Sequence, residues 1–199
     1  MPSFRGVSYA AFLFDMDGTL IDSSAAVERV WTQWADPVGI APSKVLAFAH
    51  GVRAQDVVRR FADADADLSA ELDWLEAVET ADLGVAAIRG AQEYIRSLDP
   101  DAWAIVTSAP RKLAVLRLLA AGLLLPRVIV TADDVTKGKP DPDGFKRAAA
   151  MLEVRARECL AFEDSEAGVS AALAAGARVV VVGDRLGAGY QLPQITDYA

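Results

Sequence analysis

The sequence predicts an α/β protein, a parallel sheet covered by helices and interrupted after its first strand by an all-helical insert. Three observations carry this. The short apolar run at residues 10–14 ends in turn chemistry and reads as a buried strand. From Ser23 to about Ala87 apolar residues recur only at helical spacing. After Gly90 β-branched or apolar runs alternate with helical patterns, the signature of a parallel sheet with both faces covered.

The elements follow in order. Ala25, Val27, Val30, Trp31 and Trp34 mark the first helix of the insert. Pro37, Gly39 and Pro42 break it, and Val57, Val58 and Phe61 resume the period. Leu68, Leu72, Leu75 and Val78 repeat it, and no strand is expected in this stretch. The Ala-rich residues 62–70 read as helix or loop. Beyond the insert, helices are expected near residues 91–98, 111–121, 145–152 and 166–175. Strands are expected at 103–106, 128–130, 159–162 and 179–182, joined by right-handed crossovers. After Val182 no helix is evident. The expected organisation is a core of residues 1–20 and 88–199 with a helical unit of residues 21–87. Because the insert leaves the sheet just after its first strand, it should lie over the carboxyl ends of the strands, where open α/β sheets bind ligands.

Composition narrows the function. The 199 residues are 53% hydrophobic and 24% charged, which excludes a predominantly disordered chain. Twenty basic against 28 acidic residues leave a net charge of −8, a poor match to nucleic acid or an anionic membrane. One cysteine, Cys159, and one histidine, His50, argue against an internal disulfide, a thiolate or His–His metal centre, and a Ser–His–Asp triad. Cys159 reads as a small buried hydrophobe. The N-terminal apolar run is too short for a secretion signal, and no run of about 18 apolar residues occurs, so a soluble cytoplasmic protein is expected.

Polar clusters stand at the ends of four expected strands. In Asp15-Met16-Asp17-Gly18-Thr19, two carboxylates reach one site if Gly18 turns the chain. One can attack phosphorus, and the other can protonate a leaving alkoxide and then activate water. Thr107-Ser108 offers donors for an oxyanion, or an N-cap for the helix after Pro110. Lys139, between Gly138 and Pro140, is a fixed ammonium able to offset phosphoryl charge, or one lysine of a solvated loop. Glu163-Asp164-Ser165 places adjacent carboxylates where a cation must relieve repulsion, an oxygen-rich set that suits Mg²⁺, or else it caps the next helix. Together the four supply what phosphoryl transfer requires.

These residues resemble the haloacid dehalogenase superfamily of phosphohydrolases over nearly the whole chain. Residues 14–20 match its first motif, Thr107 its second, Lys139 its third and Glu163-Asp164 its fourth, in order. The resemblance implies a Rossmann-like core with a small α-helical cap of the C1 type. It implies Asp15 as nucleophile and Asp17 as general acid/base, with Thr107 and Lys139 completing the catalytic set. Mg²⁺ would be held by Asp15, the Asp17 carbonyl and Asp164, with Glu163 nearby. Gly18, Thr19, Ser108 and Ala109 are expected to contact substrate.

Residues 49–53, 90–91, 106–110, 131–135 and 138–142 further resemble the branch of small-sugar and polyol phosphatases, with β-phosphoglucomutase a close relative. The expected activity is hydrolysis of a small phosphorylated metabolite through an aspartyl phosphate, in a monomer. The alternatives are a hexose phosphate mutase and a non-catalytic phosphate-ligand binder. In the insert, His50, Gly51 and Arg53 are candidate substrate contacts, with Arg53 equally readable as a solvated side chain. Trp31 and Trp34 share a face and read as packing, with sugar stacking as the alternative. Glu28 is placed at the cleft, and Asp63, Asp65 and Asp67 on a solvated face.

Overall fold

A computed structural model describes residues 1–37, 39–187 and 190–199. The first elements are an antiparallel hairpin, β1 (Ser3–Phe4) and β2 (Val7–Ser8), then β3 (Phe12–Phe14) and β4 (Ile21–Asp22). Four helices follow, α1 (Ser24–Ala35), α2 (Pro42–Ala49), α3 (Ala54–Phe61) and α4 (Leu68–Ala81), and then β5 (Ala86–Ala87). The remainder alternates: α5 (Ala91–Arg96), β6 (Trp103–Val106), α6 (Arg111–Ala120), β7 (Val128–Val130), α7 (Asp143–Met151), β8 (Leu160–Glu163), α8 (Glu166–Ala175), β9 (Arg178–Val182) and β10 (Gln194–Ile195).

The main sheet has the order β10-β9-β8-β3-β6-β7, and all its pairings are parallel. Register places Phe14 of the central strand opposite both Ile105 and Phe162. The strand ends carrying Asp15, Thr107 and Glu163 are therefore level. Side chains alternate across the sheet. Phe12 and Phe14 join Ile105, Leu113, Leu118 and Phe162 in one core, and Leu13 joins Val106, Phe145 and Val169 in the other. Phe14 stacks on Phe162 at 4.6 Å beneath the Asp15 loop. Burying each such ring contributes about 1.5–3 kcal/mol.

The four helices of the insert have a core of their own, built on Val30, Trp31, Trp34, Val45, Val57, Val58 and Leu75. The two tryptophans meet edge to face at 5.5 Å, and Trp34 Nε1 donates to Glu71. Asp67 caps α4 by accepting from the N–H groups of Ser69 and Ala70. Among the described residues no helix is long and apolar enough to cross a membrane.

Three short elements depart from the expectation. A strand, β5, does occur before residue 88: it pairs antiparallel with β4, Ile21 opposite Ala87, so the two connections of the insert are held together. It is two alanines long, which gives no β signal. The β1–β2 hairpin turns through Arg5 and Gly6, both at positive φ, and β10 adds a parallel edge strand after Val182. Glu28 is exposed and does not line the cavity described below.

Candidate active site

Asp15 is the first residue beyond β3, with its N–H bonded to the Phe162 carbonyl at 2.9 Å. The next residues form a tight loop in which the N–H groups of Leu20 and Ile21 both return to the Met16 carbonyl. Gly18 sits at φ +82°, and a Cβ there would lie 2.1 Å from Asp164 Oδ2. The position therefore demands glycine on both counts. The loop leaves Asp15 buried beneath and Asp17 partly open.

Lys139 is buried with its Nζ 2.5 Å from both Asp15 Oδ1 and Glu163 Oε1. Burial alone would lower the ammonium, but the two carboxylates outweigh it and hold it above its ordinary value. Glu163 is fully buried and also accepts from the N–H of Asp164 and the hydroxyl of Ser165. Burial, then carboxylate repulsion, pushes Asp15 and Asp164 up to about 7 despite Lys139. Ligand oxygens of Asp15, Glu163 and Asp164 all lie within 4.8 Å of one another. Three buried carboxylates with one bridging ammonium leave uncompensated negative charge. An all-oxygen donor set of that kind fits a hard divalent cation. The Asp17 carboxyl is outside this cluster: its Oδ1 accepts from Arg117 at 3.0 Å.

Thr107 follows β6, and its Oγ1 accepts from the Ala109 N–H at 3.1 Å, which leaves its hydroxyl proton free to donate. Ser108 instead donates to the Gly51 carbonyl at 2.7 Å. Gly51, at φ +73°, lies in the loop between α2 and α3, and a Cβ there would lie 2.2 Å from Ser165 Oγ. The insert thus dips a glycine onto the strand ends. Gly51→Ala should lower the unfolding free energy by about 1–2 kcal/mol from the left-handed backbone alone, read by urea denaturation. Wild-type stability would mean that the fold does not hold residue 51 in the left-handed region.

A cavity of about 80 Å³ is lined from the core by Asp15, Asp17, Gly18, Thr107, Ser108, Ala109, Arg117, Asp164 and Arg185. From the insert it is lined by residues that include Ser24, Val27, Trp31, His50, Gly51, Val52 and Glu79. His50 Nε2 lies 2.6 Å from Arg185, and burial, then Arg185, lowers the imidazole to about 4. It is neutral near pH 7. Arg185 Nε in turn lies 3.2 Å from Asp164.

Two of the expected substrate contacts are placed elsewhere. Arg53 is buried, but its guanidinium is engaged by Asp56 at 2.8 Å and by the Val135 and Thr136 carbonyls. It fastens α3 to the loop carrying Lys139 and does not line this cavity. Neither of its two readings, ligand contact or solvated side chain, describes that position. Thr19 is fully buried below the loop, and its carbonyl accepts from Tyr198.

The sequence reading missed Arg117 and Glu79. Both are buried, and Arg117 Nη2 reaches Glu79 Oε1 at 3.5 Å. Burial raises Glu79 to about 7, with Arg117 pulling the other way. The signal was present. Arg117 lies four residues from Leu113 and Glu79 four from Leu75, so each stands on the buried stripe of its own helix.

A parallel sheet with acidic and hydroxyl groups at its central strand ends, a buried lysine reaching them from the loop after its edge strand, and a helical insert above defines a class of α/β hydrolases. The haloacid dehalogenase-like hydrolase family matches residues 9–176, and the chain belongs to that family. It is 44% identical over 176 residues to hexitol phosphatase A of Escherichia coli, covering 86% of this chain and 82% of that protein. It is 34% identical over 194 residues to 2-deoxyglucose-6-phosphate phosphatase 1 of Saccharomyces cerevisiae, covering 84% and 77%. Among solved structures, a hydrolase from Pseudomonas syringae superposes with a TM-score of 0.79 at 29% identity, covering 95% and 94%.

Proposed function

We propose that this protein hydrolyses a small phosphomonoester, of the sugar or polyol phosphate class, in two steps. The convergence of Asp15, Thr107 and Asp164 on one cavity, with the buried Lys139 bonded to Asp15, carries the reading. The phosphoryl group binds over Asp15, with Lys139 neutralising charge and Thr107 donating its free hydroxyl proton. Asp15 attacks phosphorus in line, forming an aspartyl phosphate, while Asp17, held at one oxygen by Arg117, protonates the leaving oxygen. After product leaves, Asp17 takes a proton from water as that water attacks the acyl phosphate. Asp15, Asp164 and the Asp17 carbonyl would hold Mg²⁺, with Glu163 behind them, and the bound ion supplies charge neutralisation at the phosphoryl oxygens. The helical insert acts as a lid over this reaction. The net charge of −8 suits a small metabolite better than nucleic acid, and a monomeric cytoplasmic enzyme fits the same reading.

The resemblance of the relatives named above to this chain supports the substrate class. A panel of phosphorylated sugars and polyols, read by free phosphate, tests it. Phosphate release is the expected result. Conversion of a hexose phosphate to its isomer without release would show a mutase, and binding without turnover a sensor. Dialysis against EDTA is expected to abolish turnover, and added Mg²⁺ to restore it. Full activity in metal-free buffer would remove the cation from the scheme.

A further inference from the structure

The reaction gives Glu79 no task and leaves part of Arg117 unused. Arg117 is 2% exposed, and its Nε has no hydrogen-bond partner among the described residues. Both side chains line the cavity that holds Asp15. We propose that Arg117 and Glu79 are a specificity pair that reads hydroxyl groups on the leaving portion of the substrate and excludes leaving portions carrying negative charge. The inference rests on the phosphatase reading and deepens it.

The phosphoryl group must sit over Asp15, so the rest of the ester extends toward the wall made by the insert. That wall presents Val27, Trp31 and Val52, apolar surface for the C–H faces of a short carbon chain. Among the described residues Glu79 is its one carboxyl. The cation beside it is already matched twice, by Asp17 at 3.0 Å and Glu79 at 3.5 Å. Arg117 therefore has no net positive charge to offer. A carboxylate or second phosphate entering here would meet Glu79 and a guanidinium whose charge Glu79 already balances, in a buried setting where repulsion is poorly screened. A hydroxyl meets no such conflict, since it can donate to a Glu79 carboxylate oxygen at the cavity wall. The remaining cation of the cavity, Arg185, is occupied at Asp164 on the phosphate side.

The test measures inhibition constants against hydrolysis of p-nitrophenyl phosphate in the presence of Mg²⁺, so neither competitor need be the natural substrate. The competitors are glycerol 3-phosphate and 3-phosphoglycerate, which differ in a CH₂OH against a carboxylate. The wild type is expected to bind glycerol 3-phosphate, whose leaving portion is neutral, tighter by roughly tenfold to a hundredfold, the range of one charged hydrogen bond. Glu79→Gln, nearly isosteric, should narrow that ratio by about tenfold. The ratio is taken within one preparation, so a partial loss of folded protein or of rate does not move it. Equal constants in the wild type, or a ratio unchanged by Glu79→Gln, would overturn the assignment. Failure of the phosphatase reading looks different: the wild type would not hydrolyse p-nitrophenyl phosphate at all, and the pair would lose its role with it.

Discussion

Lys139→Met is expected to damage both rate and stability, because one ammonium serves two buried carboxylates. With it removed, Asp15 and Glu163 face each other without their shared partner, both nearly inaccessible to water. Breaking a buried pair in this way costs about 3–5 kcal/mol. The loss should depend on pH. Asp15 is raised from 3.8 to about 7 in the folded protein, and Glu163 is raised also. A carboxyl raised on folding contributes stability that is present at low pH and lost as pH rises through its folded value. Without Lys139 these values rise further. The gap in unfolding free energy between variant and wild type should therefore widen as pH rises above about 7 and shrink below it. Urea denaturation in EDTA at several pH values reads this directly. Turnover should fall by about 10²–10³, the scale of one lost electrostatic donor. A variant as stable and as active as the wild type would place Lys139 outside the site.

Asp15→Asn separates chemistry from folding. The amide keeps the shape of the side chain and removes the proposed nucleophile, so turnover should drop by roughly a thousandfold or more. Stability should change far less than in Lys139→Met. Lys139 retains Glu163, and the charge removed is one that burial already disfavours. Steady-state rates and thermal unfolding on the same samples distinguish the outcomes. Wild-type hydrolysis by a folded Asp15→Asn protein would assign the attack to another group.

Much of this was legible in the chain because it is local. Residues 12–14, 103–106, 128–130 and 160–162 are short apolar runs that stop at polar residues, and the sheet levels those stops. What was not legible is pairing across distance. Arg117 meets Asp17 from 100 residues away and Glu79 from 38, and no local period encodes either contact. Arg53 stands in a loop like a ligand contact, yet the carbonyls of Val135 and Thr136, more than 80 residues on, claim it. The β4–β5 pair escaped for a different reason. Two alanines make a strand only because Ile21 and Asp22 lie opposite them. Such elements are products of the tertiary fold rather than of intrinsic propensity.

The covalent step is the centre of the account, and it leaves a chemical trace. Rapid mixing of the enzyme with a phosphomonoester it turns over, acid quench and borohydride reduction convert an acyl phosphate of aspartate to homoserine. Peptide mass spectrometry should then find homoserine at residue 15 and nowhere else, with the signal absent from Asp15→Asn. Modification at another residue, or none under conditions where phosphate is being released, would contradict it.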